Sequence, residues 1–158
     1  MVTMNSRTPV WAALLMSAPF YTQASVFCFE EAGALYGVSP QLLKAVAWVE
    51  SSMRPDAVNK SHASKTQSRD IGLMQINSRW LQREPFRSLG YREEHLRDTC
   101  TNIKVGAWVL AGEFRRYGTT WEAVGAYNAA CTQLKGESCT RTRNTYAWKV
   151  YRAMSKTS

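Results

Sequence analysis

From residue 27 onward, the apolar positions of the chain recur mainly at the spacing of an α-helix. Segments with this pattern cover residues 27–36, 39–52, 92–98, 99–118, 121–130 and 142–154. No segment shows convincing alternation of apolar and polar residues, the pattern typical of a half-buried strand. The sequence therefore predicts a mainly α-helical domain, in which residues 56–69 form an exposed loop or a small irregular hairpin.

The helix predicted over residues 39–52 contains an unusual position. Ser39 can accept a hydrogen bond from the first turn, and Pro40 suits the first helical position. Glu50 then falls on the apolar face, on the same side as Leu43. Loss of water and the negative end of the helix dipole raise the pKa of a carboxyl there. Glu50 could hold a proton near neutral pH, or it could form an ion pair with an Arg or Lys of another segment, the commoner arrangement for an isolated glutamate.

Residues 1–24 have the layout of a signal peptide. They carry one basic residue, Arg7, then an apolar run from Val10 to Phe20 and small residues before a cleavage point after Ala24. No later segment approaches 18 uninterrupted apolar residues. We therefore predict a signal peptide over 1–24 and an exported domain over 25–158, with no stable membrane anchor after cleavage. An uncleaved N-terminus, amphipathic or membrane-anchored, is the alternative.

The chain is basic, with a formal net charge of +8. Removal of the predicted signal peptide takes away only Arg7 and leaves +7. A positive protein favours a polyanionic partner, such as nucleic acid, anionic lipid or an acidic cell-wall polymer. The export signal and the lack of a basic run longer than Arg115-Arg116 argue against nucleic acid.

Four cysteines lie beyond the predicted cleavage point, at Cys28, Cys100, Cys131 and Cys139. An even number in an oxidising compartment indicates two disulfides, for which three pairings are possible. We favour pairing the first cysteine with the second and the third with the fourth. A zinc site is the less favoured alternative, because no C-x-x-C pair occurs and His62 and His95 are distant in sequence. We predict no metal and no other cofactor, and we interpret His62 as a solvated loop residue.

Three short motifs occur in order along the chain: Glu50-Ser51, Gly72-Leu73-Met74-Gln75 and Ala126-Tyr127-Asn128. In a small exported helical domain, this set resembles the lytic transglycosylases of the lysozyme-like superfamily. The resemblance is greatest to the short periplasmic members that accompany secretion, conjugation and pilus machineries, and it extends from about residue 27 to residue 151.

The resemblance implies a goat-type lysozyme fold, mainly α with a small irregular or β-hairpin lobe. It also implies a periplasmic enzyme that cleaves the β-1,4 bond between MurNAc and GlcNAc in peptidoglycan and leaves 1,6-anhydroMurNAc ends. The expected partners are peptidoglycan glycan strands and a component of a secretion, conjugation or pilus machine. We expect the protein to act as a monomer.

Carried over by residue, the motifs assign Glu50 as the catalytic acid and place Tyr127 beside it. Gln75, Ser51 and Asn128 are expected in or near the sugar-binding cleft. Gly72 indicates a special backbone angle or a close approach of the main chain, and we count it among the substrate-binding positions.

Asp70 leaves the type of reaction open. It precedes Gly72 and could project into the cleft as a second carboxylate, which would favour hydrolysis of the lysozyme type. Alternatively, Asp70 could cap the turn at Ile71-Gly72, which we favour slightly, or pair with Arg69 or a distant base.

The last predicted helix supports a rival hypothesis, a wall-binding assembly factor that acts through protein contacts. We expect this helix to bury Tyr146, Val150 and Trp148 and to expose Arg143, Lys149 and Arg152. A partner surface would require the aromatic residues Tyr146, Trp148 and Tyr151 to be exposed, whereas we favour a core position for them.

Overall fold

A computed structural model describes the backbone of residues 21–157 and the side chains of residues 28–157. Residues 1–20, and with them most of the predicted signal peptide, lie outside the described residues. Between residues 21 and 157, no helix is both long and apolar enough to cross a membrane.

The described chain is mainly helical, as predicted. The helices are α1 (Tyr21–Tyr36), α2 (Pro40–Ser51), α3 (Ala63–Thr66), α4 (Glu93–Arg97), α5 (Thr99–Tyr117), α6 (Trp121–Asn128) and α7 (Gly136–Met154), with a 3-10 helix over Ser78–Gln82. Three two-residue strands, β1 (Val58–Asn59), β2 (Asp70–Ile71) and β3 (Ile76–Asn77), form an antiparallel sheet in the order β1-β2-β3. This sheet is the small β lobe expected from the resemblance.

Helix α5 is the centre of the domain. It packs against α1 on one side and α6 on another, and it also contacts α2, α4 and β3. Its side chains Ile103, Ala107 and Leu110 are fully buried. Helix α7 packs on α6 and α2, so that the elements carrying Glu50 and Tyr127 are held against the same partner helix.

Local signals set the ends of α2 as the sequence predicts. The side chain of Ser39 accepts a hydrogen bond from the backbone N–H of Leu42 at 3.4 Å, and Pro40 is the first helical residue. At the other end, Ser52 adopts a left-handed backbone with φ of 54° and donates its N–H to the carbonyl of Trp48 at 2.9 Å, while the Met53 N–H donates to the carbonyl of Ala47 at 3.4 Å. Helix α2 therefore stops just after Glu50, which leaves this residue in the last turn.

Helix α7 begins at Gly136, six residues earlier than predicted. Arg143, which we expected to be exposed, is buried within this helix. Its guanidinium donates hydrogen bonds to Ala129 O at 3.1 Å, to Glu122 Oε1 at 3.0 Å and to the Tyr117 hydroxyl at 2.9 Å. The exposure prediction was wrong because these partners, one at the end of α5 and two on α6 and its C-cap, compensate the buried charge.

Both favoured disulfide pairings are confirmed. Cys28 is joined to Cys100, with Cα atoms 5.2 Å apart, and Cys131 to Cys139, with Cα atoms 5.6 Å apart. The first bond ties α1 to α5, and the second ties the segment after α6 to the first turns of α7. Zinc ligation by these thiols is therefore excluded.

Candidate active site

One cleft of about 240 Å³ brings together most of the residues singled out from the sequence. It is lined by Glu50, His62, Asp70, Gln75, Ile76, Asn77, Trp80, Val109, Tyr127 and Asn128. These residues come from α2, the β lobe, the 3-10 helix, α5 and α6. Two predicted site residues, Ser51 and Gly72, do not line this cleft.

Glu50 is a largely buried carboxyl with a hydroxyl partner. The Tyr146 hydroxyl donates a hydrogen bond to Glu50 Oε1 at 2.5 Å. Burial raises the pKa of Glu50 to about 7, and the nearby charge of Asp70 raises it further, while the Tyr146 hydrogen bond and the charge of Lys149 act in the opposite direction. The partner of Glu50 is thus an uncharged donor, and a substantial fraction of the carboxyl is protonated near neutral pH.

Tyr127 lies beside Glu50 but does not bind it in this structure. Its hydroxyl donates to the backbone carbonyl of Met74 at 2.9 Å. Burial and the neighbouring charges of Glu50 and Asp70 raise the pKa of the phenol well above its usual value of 10.0. Tyr127 is therefore a neutral phenol that joins α6 to the β lobe and lines the cleft.

Asn102, on α5, fixes the turn between β2 and β3. Its Oδ1 accepts from the Met74 N–H at 2.7 Å, and its Nδ2 donates to the carbonyls of Ile71 at 2.9 Å and Leu96 at 2.8 Å. Gly72 adopts φ of +77°, and a Cβ placed on it would lie 2.4 Å from the Asn102 Nδ2. The special backbone angle of Gly72 is confirmed, and the close approach of its main chain is to Asn102 within the protein.

Ser51 is a buried connection between α2 and the β lobe. Only 3% of its surface is exposed. Its hydroxyl donates to Leu73 O at 2.8 Å and accepts from the Arg54 N–H at 3.1 Å. Ser51 therefore lies next to the cleft without lining it, and its hydroxyl holds the residue after Glu50 against the turn of the β lobe.

Gln75 and Asn128 are placed at the cleft as expected. Gln75 has φ of 46°, and its side-chain Nε2 donates to Gly72 O at 2.8 Å and Ala57 O at 3.2 Å. These bonds use the amide donors and leave the side-chain carbonyl as the group available to a ligand. Asn128 is the exposed last residue of α6.

Asp70 lines the same cleft as Glu50 and does not cap the turn. The Gly72 N–H donates to Ala57 O at 2.8 Å, while Asp70 Oδ1 accepts from Asn77 Nδ2 at 2.8 Å. Asp70 Oδ2 lies 3.7 Å from His62 Nδ1. The preference for turn capping was wrong, because Asp70 is held across the sheet by Asn77 and faces the cleft.

Sequence reasoning missed several residues of the site, among them His62 and Tyr146, which contact Asp70 and Glu50. His62, expected to be solvated, is 30% exposed in its side chain and lines the cleft beside Asp70. Tyr146 was predicted as core and is buried, but its hydroxyl is the partner of Glu50 across 96 residues of sequence. A tyrosine on the apolar face of a helix implies that its buried hydroxyl has a hydrogen-bond partner, but the sequence does not say which. For His62 the sequence contains no local signal of a place in the cleft.

A protonatable glutamate at the end of a helix, facing a cleft beside a small β lobe, is the arrangement of lysozyme-like enzymes that act on glycans. The sequence model of the Transglycosylase SLT domain matches residues 27–148, and the chain belongs to this family.

Several curated relatives support this assignment. The chain is 38% identical over 131 residues to a "Peptidoglycan-binding-like protein" of Escherichia coli O157:H7, which covers 81% of this chain and 76% of that protein. It is 41% identical over 126 residues to an "X polypeptide" of Escherichia coli, with 79% and 70% covered. It is 36% identical over 135 residues to "Invasion protein IagB" of Salmonella typhi, with 83% and 79% covered. The protein is a lytic transglycosylase that acts on peptidoglycan in the cell envelope.

Proposed function

We propose that this enzyme cleaves the β-1,4 bond between MurNAc and GlcNAc and leaves 1,6-anhydroMurNAc ends, with Glu50 as acid and then base. The observation that carries the proposal is the state of Glu50, whose pKa is raised to about 7 at the wall of the cleft. A general acid is most effective when its pKa lies near the working pH. Glu50 meets this requirement without a metal or cofactor in the proposed chemistry.

In the first step, Glu50 donates its proton to the glycosidic oxygen while the C1–O4 bond breaks. The GlcNAc unit leaves with a free 4-hydroxyl, and oxocarbenium character develops at C1 of MurNAc. The C6 hydroxyl oxygen of the same MurNAc then attacks C1, and the Glu50 carboxylate takes up the hydroxyl proton. The ring closes as a 1,6-anhydro sugar, Glu50 is protonated again, and no water is consumed.

The other cleft residues bind and orient the sugar in this proposal. The Tyr146 hydroxyl holds Glu50 in place, and Tyr127 offers a neutral phenol beside it. The Gln75 side-chain carbonyl and the Asn128 amide provide acceptors and donors for N-acetyl groups.

The test is the digestion of purified peptidoglycan followed by mass spectrometry of the released fragments. Muropeptides with 1,6-anhydro ends are expected. Glu50→Gln, nearly isosteric but unable to transfer the proton, should lower the rate by at least about 100-fold. Glu94→Gln, on an exposed turn of α4, is the matched control and should leave the rate unchanged. Full activity of Glu50→Gln would contradict the proposed role.

Hydrolysis of the lysozyme type is the second candidate, and the position of Asp70 in the cleft favours it. As a second carboxylate, Asp70 would stabilise the developing cation while water attacks C1. Reducing ends on the products, with a rate that falls on Asp70→Asn, would support this reaction. Unchanged rate and products in that variant would exclude a role for Asp70 at the reacting centre.

We further propose that the protein is exported, loses residues 1–24 and works as a monomer in the periplasm. The small size and the relative named "Invasion protein IagB" support local opening of the wall for a secretion, conjugation or pilus machine. N-terminal sequencing of the mature protein tests the cleavage site, and a deletion strain tests assembly of the machine.

An assembly factor that acts by protein contact remains the rival proposal. Trp148 and Tyr151 are 61% and 54% exposed, so the expectation that they belong to the core was wrong. Tyr146, two residues from Trp148, lies on the opposite side of α7 and is buried. Co-purification of a machine component that survives Glu50→Gln but fails on Trp148→Ser would support this rival.

A further inference from the structure

A second cavity continues the catalytic cleft along α7. It has a volume of about 320 Å³ and is lined by Asn128, Arg141, Thr142, Thr145, Tyr146 and Lys149. Asn128 also lines the cleft that contains Glu50, and the Tyr146 hydroxyl binds Glu50 directly. A ligand that occupies the cleft can therefore extend into the second cavity without leaving the protein surface.

The walls of this cavity suit an anion. Two of the lining side chains are cations, Arg141 and Lys149, and no lining residue is a carboxylate. Arg141 contacts Glu137, but both side chains are at least 75% exposed, so this pair is weak and can exchange for another anion. Lys149 lies close enough to Glu50 for its charge to influence the pKa of that carboxyl.

Helical spacing and a disulfide hold these groups in one line. Arg141, Thr145 and Lys149 are four residues apart on α7 and therefore lie on one face of the helix. The bond between Cys131 and Cys139 fixes the first turns of α7 to the segment that follows Asn128. Arg141 is thereby held at a set position relative to the cleft, even though it lies near the start of its helix.

Peptidoglycan offers an anion at the matching place. Each muramyl residue carries a short stem peptide on its lactyl group, and the stem peptide has free carboxylates. We infer that the second cavity binds the carboxylates of the stem peptide on the muramyl residue at the scissile bond, with Arg141 and Lys149 as the anion-binding side chains. This inference rests on the proposed function, because it places that muramyl residue beside Glu50.

The experiment compares two forms of the same substrate. Purified sacculi are used either with free stem carboxylates or after conversion of those carboxylates to carboxamides with carbodiimide and ammonia. The rate of solubilisation is measured for the full protein, for Arg141→Gln/Lys149→Gln and for Arg97→Gln/Arg115→Gln. The last variant is the control for net charge, because its two arginines are exposed and line neither cavity.

The measured quantity is the ratio of the two rates for each protein. This ratio cancels any change in Glu50 caused by the loss of Lys149, since both substrates use the same acid. We expect the unaltered protein to solubilise sacculi with free carboxylates faster than amidated sacculi. In the Arg141/Lys149 variant the ratio of the two rates should be about three- to tenfold smaller, the effect of losing two partly solvated ion pairs. The charge control should keep most of the preference.

Equal ratios in the two double variants would overturn the inference, because the preference would then reflect net charge alone. The absence of any preference in the unaltered protein would overturn it as well. Binding of the Glu50→Gln protein to the two forms of sacculi repeats the comparison without turnover. If the unaltered protein shows no turnover but Glu50→Gln still binds free stem carboxylates in preference, and this preference depends on Arg141, the proposed reaction is contradicted. The stem-peptide site is then still supported.

Discussion

Glu50 is held in a place that suits its protonated form better than its charged form. Its pKa is about 7 in the folded protein and 4.5 in the absence of the fold. Between these values the folded state binds the proton and the unfolded state does not, so the stability that Glu50 contributes is fully present below about pH 4.5 and is lost as the pH rises through about 7. The site therefore destabilises the folded enzyme at the pH where Glu50 can act as both acid and base.

This linkage predicts a stabilised variant. Glu50→Gln should raise the free energy of unfolding at pH 8 by up to about 3 kcal/mol, and should have little effect near pH 4.5. Urea unfolding of both proteins at the two pH values measures the difference, with Glu94→Gln as the exposed control. Equal stabilisation at both pH values would mean that the effect is packing and not the charge of Glu50.

Tyr146 offers a second prediction at the residue scale. Its hydrogen bond favours the carboxylate form of Glu50, so Tyr146→Phe should raise the pKa of Glu50 and move the acid-dependent limb of the pH–rate profile to higher pH, by about one unit. Tyr151→Phe, on the exposed face of the same helix, should leave the profile in place. A uniform loss of rate without a shift would indicate that Tyr146 serves only packing.

Some site residues could be predicted from the sequence and others could not, for a physical reason. Glu50 was recognisable because its helix has a well-marked start, which fixes the phase of every later residue. His62 and Tyr146 reach the cleft through contacts between distant segments, and helical phase carries no information about those. Ser51 and Gly72 belong to motifs of the site, but their side-chain and backbone geometry is used inside the protein.

At the scale of elements, the turn between β2 and β3 is set by packing on α5. Gly72 and Gly90 both have positive φ, of +77° and +69°, but a Cβ on Gly72 would meet Asn102 whereas one on Gly90 would meet nothing within 4 Å. Alanine substitutions at the two positions therefore distinguish the cost of the backbone angle, which both share, from the cost of the clash with Asn102, which only Gly72 has.

We predict that Gly90→Ala lowers the free energy of unfolding by about 1 kcal/mol, the cost of a left-handed residue with a Cβ. Gly72→Ala should lower it by about 3 kcal/mol or more, because the turn must also move away from Asn102. Only Gly72→Ala should reduce activity, since that turn carries Gln75 and the Met74 carbonyl that binds Tyr127. Equal decreases in the free energy of unfolding of the two variants, measured with urea, would show that the turn can move away from Asn102 at little cost.

Element boundaries were predictable where a local signal marks them and not elsewhere. Ser39-Pro40 marks the start of α2, and Gly37 marks the end of α1 with φ of +67°. The first turns of α7 contain polar residues without apolar periodicity. They are helical because the bond between Cys131 and Cys139 and the Arg143 contacts hold them in place, and these are tertiary effects.

At the scale of the whole molecule, the two disulfides close loops of very different size. Their cysteines are 72 and 8 residues apart in sequence. On the loop-entropy model, the long loop stabilises the fold by about 4 kcal/mol and the short one by about 2.5 kcal/mol. The long bond ties α1 to the first turn of the central helix α5, while the short bond acts on the border of the cleft.

The two bonds should therefore differ in what their loss does. Cys28→Ser/Cys100→Ser is expected to lower the free energy of unfolding by about 4 kcal/mol with the same products from folded enzyme. Cys131→Ser/Cys139→Ser should cost about 2.5 kcal/mol but also weaken the preference for free stem carboxylates, because Arg141 is no longer held. Urea unfolding and the two-substrate assay check these outcomes; an unchanged preference in the second variant would show that α7 holds Arg141 unaided.

The cysteines also bear on the export that we propose for this chain. A protein exported through a secretory channel must remain unfolded until it has crossed, and in the reducing cytoplasm neither bond forms. The reduced chain lacks several kcal/mol of the stability of the oxidised one, a large share of what a domain of this size possesses. Under the proposed export, oxidation after transit would complete the fold. The reduced chain would remain competent for passage, and the enzyme would become rigid only on the side of the membrane that holds its substrate.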